Sequence, residues 1–385
     1  MQHVELFCTT SRLVFGVGAI QKLAKEIQRL GKKRILLISD KGLVTTGIVT
    51  SVDQQLQKAG YATALFDSVQ ADPRYETIDA SLSALKKHKA DVILGIGGGS
   101  PLDIAKVTSI MATNTGSVRN YFGIDLVPNP GLPVVLVPTT AGTGSEVTPI
   151  AILSDEKAKL KSGIVSPYLF PEVALLDPEL TLGLPPAITA AAGMDAFIHA
   201  LEAYTSINAN PMTDLLAAEA ISLLSANIRT AYANGRNLPA RTAMLRGALL
   251  AGMSFANAGV TAVHAFAYPI GAEFHIPHGI ANTIMLLPVL RFNLVANMAR
   301  FAAIGRFMGL NAKEFTMREA AFATLTILKE LAEDLNVPQR LSQYGIKEQH
   351  IPALAEDVMK VTRLLANNPR NVTLEDAKTI YREAL

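Results

Sequence analysis

Asp91-Val92-Ile93-Leu94-Gly95-Ile96-Gly97-Gly98-Gly99-Ser100-Pro101-Leu102-Asp103 is the stretch that decides the fold. Residues 91–96 form a short run dominated by Val, Ile and Leu, the pattern of a strand buried on both faces. Pro101 to Met111 then reads as a helix, with Ser100 suited to its N-cap, Pro101 to its first position and Asp103 to a capping-box-like partner. Three glycines leave the backbone bare just ahead of that helix, where free N–H groups and the helix dipole favour phosphate. The pattern is not G-x-G-x-x-G, because Ser100 stands where the third glycine would be. A tight strand-to-helix turn that merely needs glycine is the alternative.

The same alternation extends on both sides. Residues 4–7 and 12–15 read as short strands and Ala19 to Leu30 as a helix. Strands at Arg34–Ser39, Tyr61–Phe66 and Leu132–Val137 and helices at Gly47–Ala59 and Arg74–His88 complete the series. Apolar strands alternating with helices predict a parallel sheet covered on both faces, with ligands bound beyond the carboxyl ends of its strands. A second glycine-rich stretch follows the strand at 132–137: Pro138-Thr139-Thr140-Ala141-Gly142-Thr143-Gly144-Ser145-Glu146. Two such loops can hold two ends of one pyrophosphate-containing ligand. Asp40, at the end of the Arg34–Ser39 strand, either accepts hydrogen bonds from an adenosine ribose, favouring NAD over NADP, or caps a turn.

Beyond Leu184-Pro185-Pro186 the valine-rich strands stop and long Ala/Leu-rich segments follow, at 211–233, 240–256 and 315–334. The reading is an α/β domain over residues 1–184 and an all-helical domain over 185–385. The helical half holds Gly193-Met194-Asp195-Ala196-Phe197-Ile198-His199-Ala200-Leu201-Glu202-Ala203-Tyr204. Asp195 and His199 are four apart and share a helix face; Glu202 is nearly two turns from Asp195. Further on come His264 in Val263-His264-Ala265-Phe266-Ala267-Tyr268-Pro269, placed near a helix end set by Pro269, then His275 and His278. One carboxylate and three imidazoles suit Fe²⁺ or Zn²⁺, without the thiolates of most structural zinc sites. His275 is either a substitute ligand or a wall residue.

Composition narrows the function. At 385 residues, with 49% apolar and 18% charged residues, the chain supports two packed cores. A net charge of +2 gives no argument for nucleic acid or an anionic membrane. The single cysteine, Cys8, leaves no internal disulfide and fits a reducing, cytoplasmic compartment. Neither a signal peptide nor an 18-residue apolar run is read. Ile150, Phe197, Phe255 and Phe266 suggest apolar surroundings for a small, uncharged substrate.

Taken in order, Gly97–Asp103, Pro138–Glu146, Gly193–Ala200 and Ile276-Pro277-His278-Gly279 resemble the iron-containing (group III) alcohol dehydrogenases over essentially the full chain. The resemblance implies a dinucleotide-binding domain plus a helical metal domain, the fold shared with dehydroquinate synthase. It implies an NAD-dependent dehydrogenase of a small primary alcohol or aldehyde, working as a homo-oligomer such as a homodimer. By motif match Asp195, His199, His264 and His278 correspond to metal ligands. Asp40, Gly97, Gly98, Gly99, Ser100, Asp103, Thr139, Thr140, Thr143 and Ser145 correspond to cofactor contacts. Lys161 matches a lysine reaching toward the nucleotide, with a solvated surface lysine as the alternative. Two departures stand out: Tyr268 replaces a histidine common in a His-x-x-x-His-Pro pattern, and Ala71-Asp72-Pro73 replaces Pro-Asn-Pro. A dehydroquinate synthase-like lyase is the rival, but the segments 193–204 and 260–282 hold no Lys or Arg for a phosphate-bearing substrate.

Overall fold

The computed structural model describes residues 4–155, 160–311 and 315–385. The chain divides into two compact units, Thr9–Gly183 and Leu184–Leu385, the latter joined by the segment up to Cys8.

The first unit is built on six parallel strands. In chain order these are β1 (Leu13–Phe15), β2 (Arg34–Ile38), β3 (Ala62–Phe66), β4 (Val92–Gly97), β6 (Val134–Pro138) and β9 (Val173–Leu176), arranged β1-β9-β6-β4-β2-β3. Every residue of β4 and β6 is buried, as expected of central strands with a helical layer on each face. One core lies against helix Gly99–Met111, around Ile93, Ile104 and Leu136; the other lies across the sheet, around Ile27, Leu37 and Leu94. β5 (Gly123–Ile124), β7 (Ile150–Asp155) and β8 (Leu160–Val165) form a separate three-stranded sheet in which β7 and β8 are antiparallel.

Several expectations change here. Residues 4–7 are not a strand, and Ala19–Leu30 is a short 3-10 turn, Ala19–Lys22, running into helix Leu23–Arg29. β9 and the β7–β8 pair were not expected. Val173–Leu176 spans only four residues, short for a periodicity signal, yet it joins β1 to the rest of the sheet. The glycine-loop helix starts at Gly99 with Gly98 as N-cap, so Ser100 is inside the first turn and Asp103 caps nothing.

The second unit is helical. Its principal helices are Pro186–Thr205, Pro211–Ala233, Leu238–Ala258, Ala262–Phe274, His278–Leu294, Met298–Phe307, Met317–Asp334, Ile351–Met359 and Leu374–Ala384. Pro186–Thr205 is the hub: Met194, Ala196, Phe197, Ile198, Ala200, Leu201 and Ala203 are all fully buried. Among the described residues no single helix is long and apolar enough to cross a membrane. Pro269 does not end a helix as expected; it lies inside Ala262–Phe274, and His264 sits in that helix's first turn instead.

Candidate metal centre and dinucleotide loops

Three helices of the second unit converge on one buried cluster. Asp195 and His199 project from the middle of Pro186–Thr205, while His264 and His278 lie in the first turns of Ala262–Phe274 and His278–Leu294. Ligand atoms from Asp195, His199 and His264 all lie within 4.8 Å of one another. His278 Nε2 is 3.7 Å from Asp195 Oδ1, and His264 Nε2 is 3.8 Å from the same oxygen. Separations of this size are those of side chains that can share one cation at bond lengths of about 2.0–2.2 Å. His278 reaches the cluster because Gly279 lets two backbones touch: a Cβ there would fall 2.2 Å from the carbonyl oxygen of Ala191. Any side chain at 279 would push helix His278–Leu294 off Pro186–Thr205 and carry His278 away.

Most of the cluster is buried. Asp195, His199 and His264 are buried and His278 is about a third exposed. Phe255 stacks on the His199 ring with centroids 4.3 Å apart, and His199 stacks on His264 at 4.6 Å. Burial opposes ionisation of Asp195, but the three imidazoles and the Asn282 amide outweigh it and hold the carboxyl below its ordinary range.

Glu202, quoted from the sequence but given no role there, proves to be part of the site. Its Oε2 accepts a hydrogen bond from His264 Nδ1, while Thr261 Oγ1 and the Val263 N–H each donate to Oε1 at 2.7 Å. Despite full burial, these partners keep Glu202 below the usual carboxylate range, and Glu202 in turn raises the His264 pKa against the effect of burial. With the Nδ1 proton facing a carboxylate, His264 presents the Nε2 lone pair to the cluster, the tautomer a metal requires. The signal was available: position 202 is seven residues past Asp195, on the same helix face. Asn282 was missed too. It is fully buried, four residues after His278, and its Nδ2 lies 2.7 Å from Asp195 Oδ1.

Other expected residues fall elsewhere. His275 is exposed and ends its helix in a left-handed conformation with φ 54, outside the buried group of Asp195, His199 and His264. Phe197 and Phe266 are fully buried core residues, Phe266 packing on Tyr381 with ring centroids 4.9 Å apart. Tyr268 is half-buried with its ring 6.1 Å from that of His278, on the flank of the cluster.

In the first unit the two glycine-rich stretches form a single surface at the carboxyl ends of β4 and β6. Gly97 pairs with Pro138, and the Thr139 N–H donates to the Gly97 carbonyl at 2.9 Å. Gly97 has φ +149, which a side chain rarely adopts, and a Cβ there would sit 2.7 Å from the Pro101 ring. At Gly99 a Cβ would strike Thr143, so the two loops are in direct contact. Helix Gly99–Met111 aims its N-terminal amides at this surface.

Asp103 and Ser145 brace the loops from below. Ser145 Oγ donates to Asp103 Oδ1 at 2.6 Å, and the Ile152 N–H donates to Oδ2 at 2.9 Å. Buried Lys106 donates to the carbonyls of Ser145, Thr148 and Ile150, tying helix, loop and β7 together. Burial lowers the Lys106 pKa, opposed by Asp103 and Glu146; burial pushes the Glu146 carboxyl up to about 7.

Asp40 does two things. Its Oδ1 caps helix Lys41–Thr45 by accepting from the Leu43 N–H at 2.8 Å, and its Oδ2 faces Gly97, 3.5 Å from where a Cβ would be. Lys161 is paired with Asp72 at 2.5 Å, so the residue that replaces the expected asparagine anchors the lysine.

Residues 10–178 match the family described as iron-containing alcohol dehydrogenase, and residues 189–385 match its C-terminal part. The chain belongs to the iron-containing alcohol dehydrogenases. It is 40% identical to long-chain-alcohol dehydrogenase 1 of Geobacillus thermodenitrificans, over 98% of this chain and 97% of that one. The crystal structure of a 1,3-propanediol oxidoreductase superimposes over the whole of both chains with a TM-score of 0.97 and 40% identity. A sulfoacetaldehyde reductase from Bifidobacterium kashiwanohense, solved with NAD⁺, aligns over 99% of this chain and 98% of its own at TM-score 0.89 and 28% identity. These alcohol dehydrogenase relatives agree on alcohol–aldehyde oxidoreduction and differ in the substrate each is named for. The parallel-sheet domain followed by a helical domain is this family's fold, as the sequence implied.

Proposed function

We propose that this chain is an NAD-dependent dehydrogenase of small primary alcohols, with Asp195, His199, His264 and His278 holding the divalent metal. The observation that carries the reading is the cluster of one carboxylate and three imidazoles, in which His264 turns its Nδ1 to the Glu202 carboxylate and its Nε2 to Asp195. An all-N/O set of this kind suits Fe²⁺, with Zn²⁺ a competitor because it stands above Fe²⁺ in the affinity order.

When bound, such a cation supplies Lewis acidity to a substrate oxygen, and the nicotinamide carries the hydride. The protein supplies position and environment. Glu202 holds His264 in orientation, and Phe255 stacked on His199 shields that side of the site from water. Tyr268 offers its hydroxyl to orient substrate or to pass a hydrogen bond to solvent. On the other unit the backbone of Gly97, Gly98, Gly99 and Ser100, with Thr139, Thr140 and Thr143, cradles the pyrophosphate. Asp103, Ser145 and Lys106 hold that cradle in shape. Asp40 Oδ2 faces the ribose, which favours NAD over NADP. Lys161, held by Asp72, is assigned to the nucleotide. The assignment makes Thr9–Gly183 the dinucleotide domain and Leu184–Leu385, with the segment up to Cys8, the metal domain, so the expected boundary near 184 is kept while that segment goes with the helical half. A cytoplasmic homodimer completes the reading, the single cysteine fitting a reducing compartment.

The test is NADH formation from a panel of primary alcohols, and NADH consumption with the matching aldehydes, after reconstitution with Fe²⁺ or Zn²⁺ separately. Metal-dependent turnover of uncharged alcohols is expected. Activity confined to phosphate-bearing substrates, with no net change in NADH, would instead favour the lyase reading.

A further inference from the structure

Asn282 lies within the cluster rather than beside it. Its Nδ2 is 2.7 Å from Asp195 Oδ1, 3.0 Å from His264 Nε2 and 3.3 Å from His278 Nε2. One amide nitrogen thus stands where three of the four ligand atoms converge. Its two hydrogens can meet only two of these three acceptors at once, where a cation would take all three. The nitrogen-inward orientation follows from the partners: His264 Nδ1 faces Glu202, so Nε2 is an acceptor, and Asp195 is an acceptor at every lone pair. Turned the other way, Oδ1 would confront acceptors alone.

That arrangement leaves a cost. Asn282 is fully buried, and its Oδ1 has no hydrogen-bond partner among the described residues. A buried amide oxygen without a partner is uncommon and is expected to have a use. With a divalent cation in the cluster the preference reverses. The N–H group is repelled, and the hard amide oxygen becomes a suitable ligand for Fe²⁺ or Zn²⁺. Separations of 2.7–3.3 Å are also those between neighbouring ligands around one cation at bond lengths of about 2.0–2.2 Å.

Resting on the metal reading above, we propose that Asn282 is a further ligand of the centre. Its Oδ1, the buried oxygen that has no hydrogen-bond partner among the described residues, is the atom it gives to the metal.

The experiment is a metal-competition titration of the stripped protein with Zn²⁺ and Co²⁺, comparing the parent with Asn282→Ala and Asn282→Asp, together with melts in both metal states. Removing the ligand in Asn282→Ala should weaken binding by about tenfold or more. Asn282→Asp keeps the oxygen and loses the donor, so it should bind metal at least as tightly as the parent. It should also be less stable empty, giving a larger melting shift on metal addition. A side chain that only donates to Asp195 would instead make Asn282→Asp as weak a binder as Asn282→Ala, and that result overturns the proposal. Parent-like affinity in Asn282→Ala overturns it too. If Asn282→Asp does not fold, the Co²⁺ ligand-field bands of Asn282→Ala decide: they shift if an oxygen ligand has gone, and bands identical to the parent's refute the ligand role. A parent that binds no metal at all would remove the metal reading itself, a separate outcome.

Discussion

Glu202 and His264 are joined by a buried hydrogen bond between a carboxylate and an imidazole Nδ1, and this contact fixes which nitrogen His264 offers to a metal. Partners of this kind orient ligands and raise their basicity, and losing one costs roughly 10–100-fold in metal affinity or activity. Glu202→Gln keeps the shape but removes the charge, so metal affinity should fall within that range. Glu202→Ala should also lower stability by about 1–3 kcal/mol, because Thr261 Oγ1, the Val263 N–H and His264 Nδ1 all lose their acceptor. Competition titration against a chromophoric chelator reads the first effect and chemical denaturation the second. A Glu202→Gln variant with parent affinity would show that His264 is positioned by packing alone.

Asp40 has one oxygen on the Leu43 N–H and the other toward Gly97, so its two roles can be separated. Losing the cap in Asp40→Gly should cost only a few tenths of a kcal/mol, because glycine is itself a tolerable N-cap. Losing the carboxylate should raise the NADP-to-NAD ratio of kcat/KM, since its repulsion of a 2′-phosphate disappears. An unchanged ratio alongside a lowered melting temperature would leave Asp40 as a cap and nothing more.

Glu146 is buried beside Lys106, with Asp103 the other charged group facing Lys106. Its folded pKa of about 7 lies above the ordinary carboxylate value of 4.5, so the folded state holds this proton more tightly than the unfolded chain does. The stability it contributes is present below the unfolded pKa and is lost as pH rises through about 7. Glu146→Gln mimics the protonated form. Its melting temperature should match the parent below the unfolded value of 4.5, gain on it as pH rises from there to about 7, and keep a constant lead above that. Melts across that range check this, and a pH-independent difference would mean the Glu146 carboxyl is not held protonated.

Tyr268 sits one helical turn after His264, with its ring 6.1 Å from that of His278. If its hydroxyl orients substrate, Tyr268→Phe should lower kcat/KM by about 1 kcal/mol of transition-state stabilisation, one hydrogen bond. Tyr268→His should remain active and add a titration near neutrality, because imidazole titrates at about 6.5 and phenol near 10. A pH–rate profile of Tyr268→Phe that overlays the parent's for every alcohol would reduce the residue to packing.

Much of this was legible in the sequence because it was written in local patterns. The strands around Arg34–Ile38 and Val92–Gly97 announced themselves as apolar runs, and the glycine loops and the Asp195/His199 spacing need only near neighbours. What escaped depends on partners far along the chain. β9 is four residues long and defined by pairing with β1 and β6. Asp103 resembled a cap by spacing, yet its partners are Ser145 and Ile152, more than forty residues away. Glu202 and Asn282 sit at helical spacing from recognised ligands, but only the meeting of three helices shows what each touches.

The central claim is that Asp195, His199, His264 and His278 hold the metal on which NAD-linked alcohol turnover depends. Its most direct measurement is metal content per chain in the parent, His264→Ala and His278→Ala, taken on the same samples as NAD binding and alcohol turnover. The account predicts metal in the parent and little in either variant, with turnover lost in step. NAD binding should persist, because the glycine loops belong to Thr9–Gly183 and the histidines to the other unit. Full metal occupancy in both variants, or parent-level turnover without metal, would contradict it.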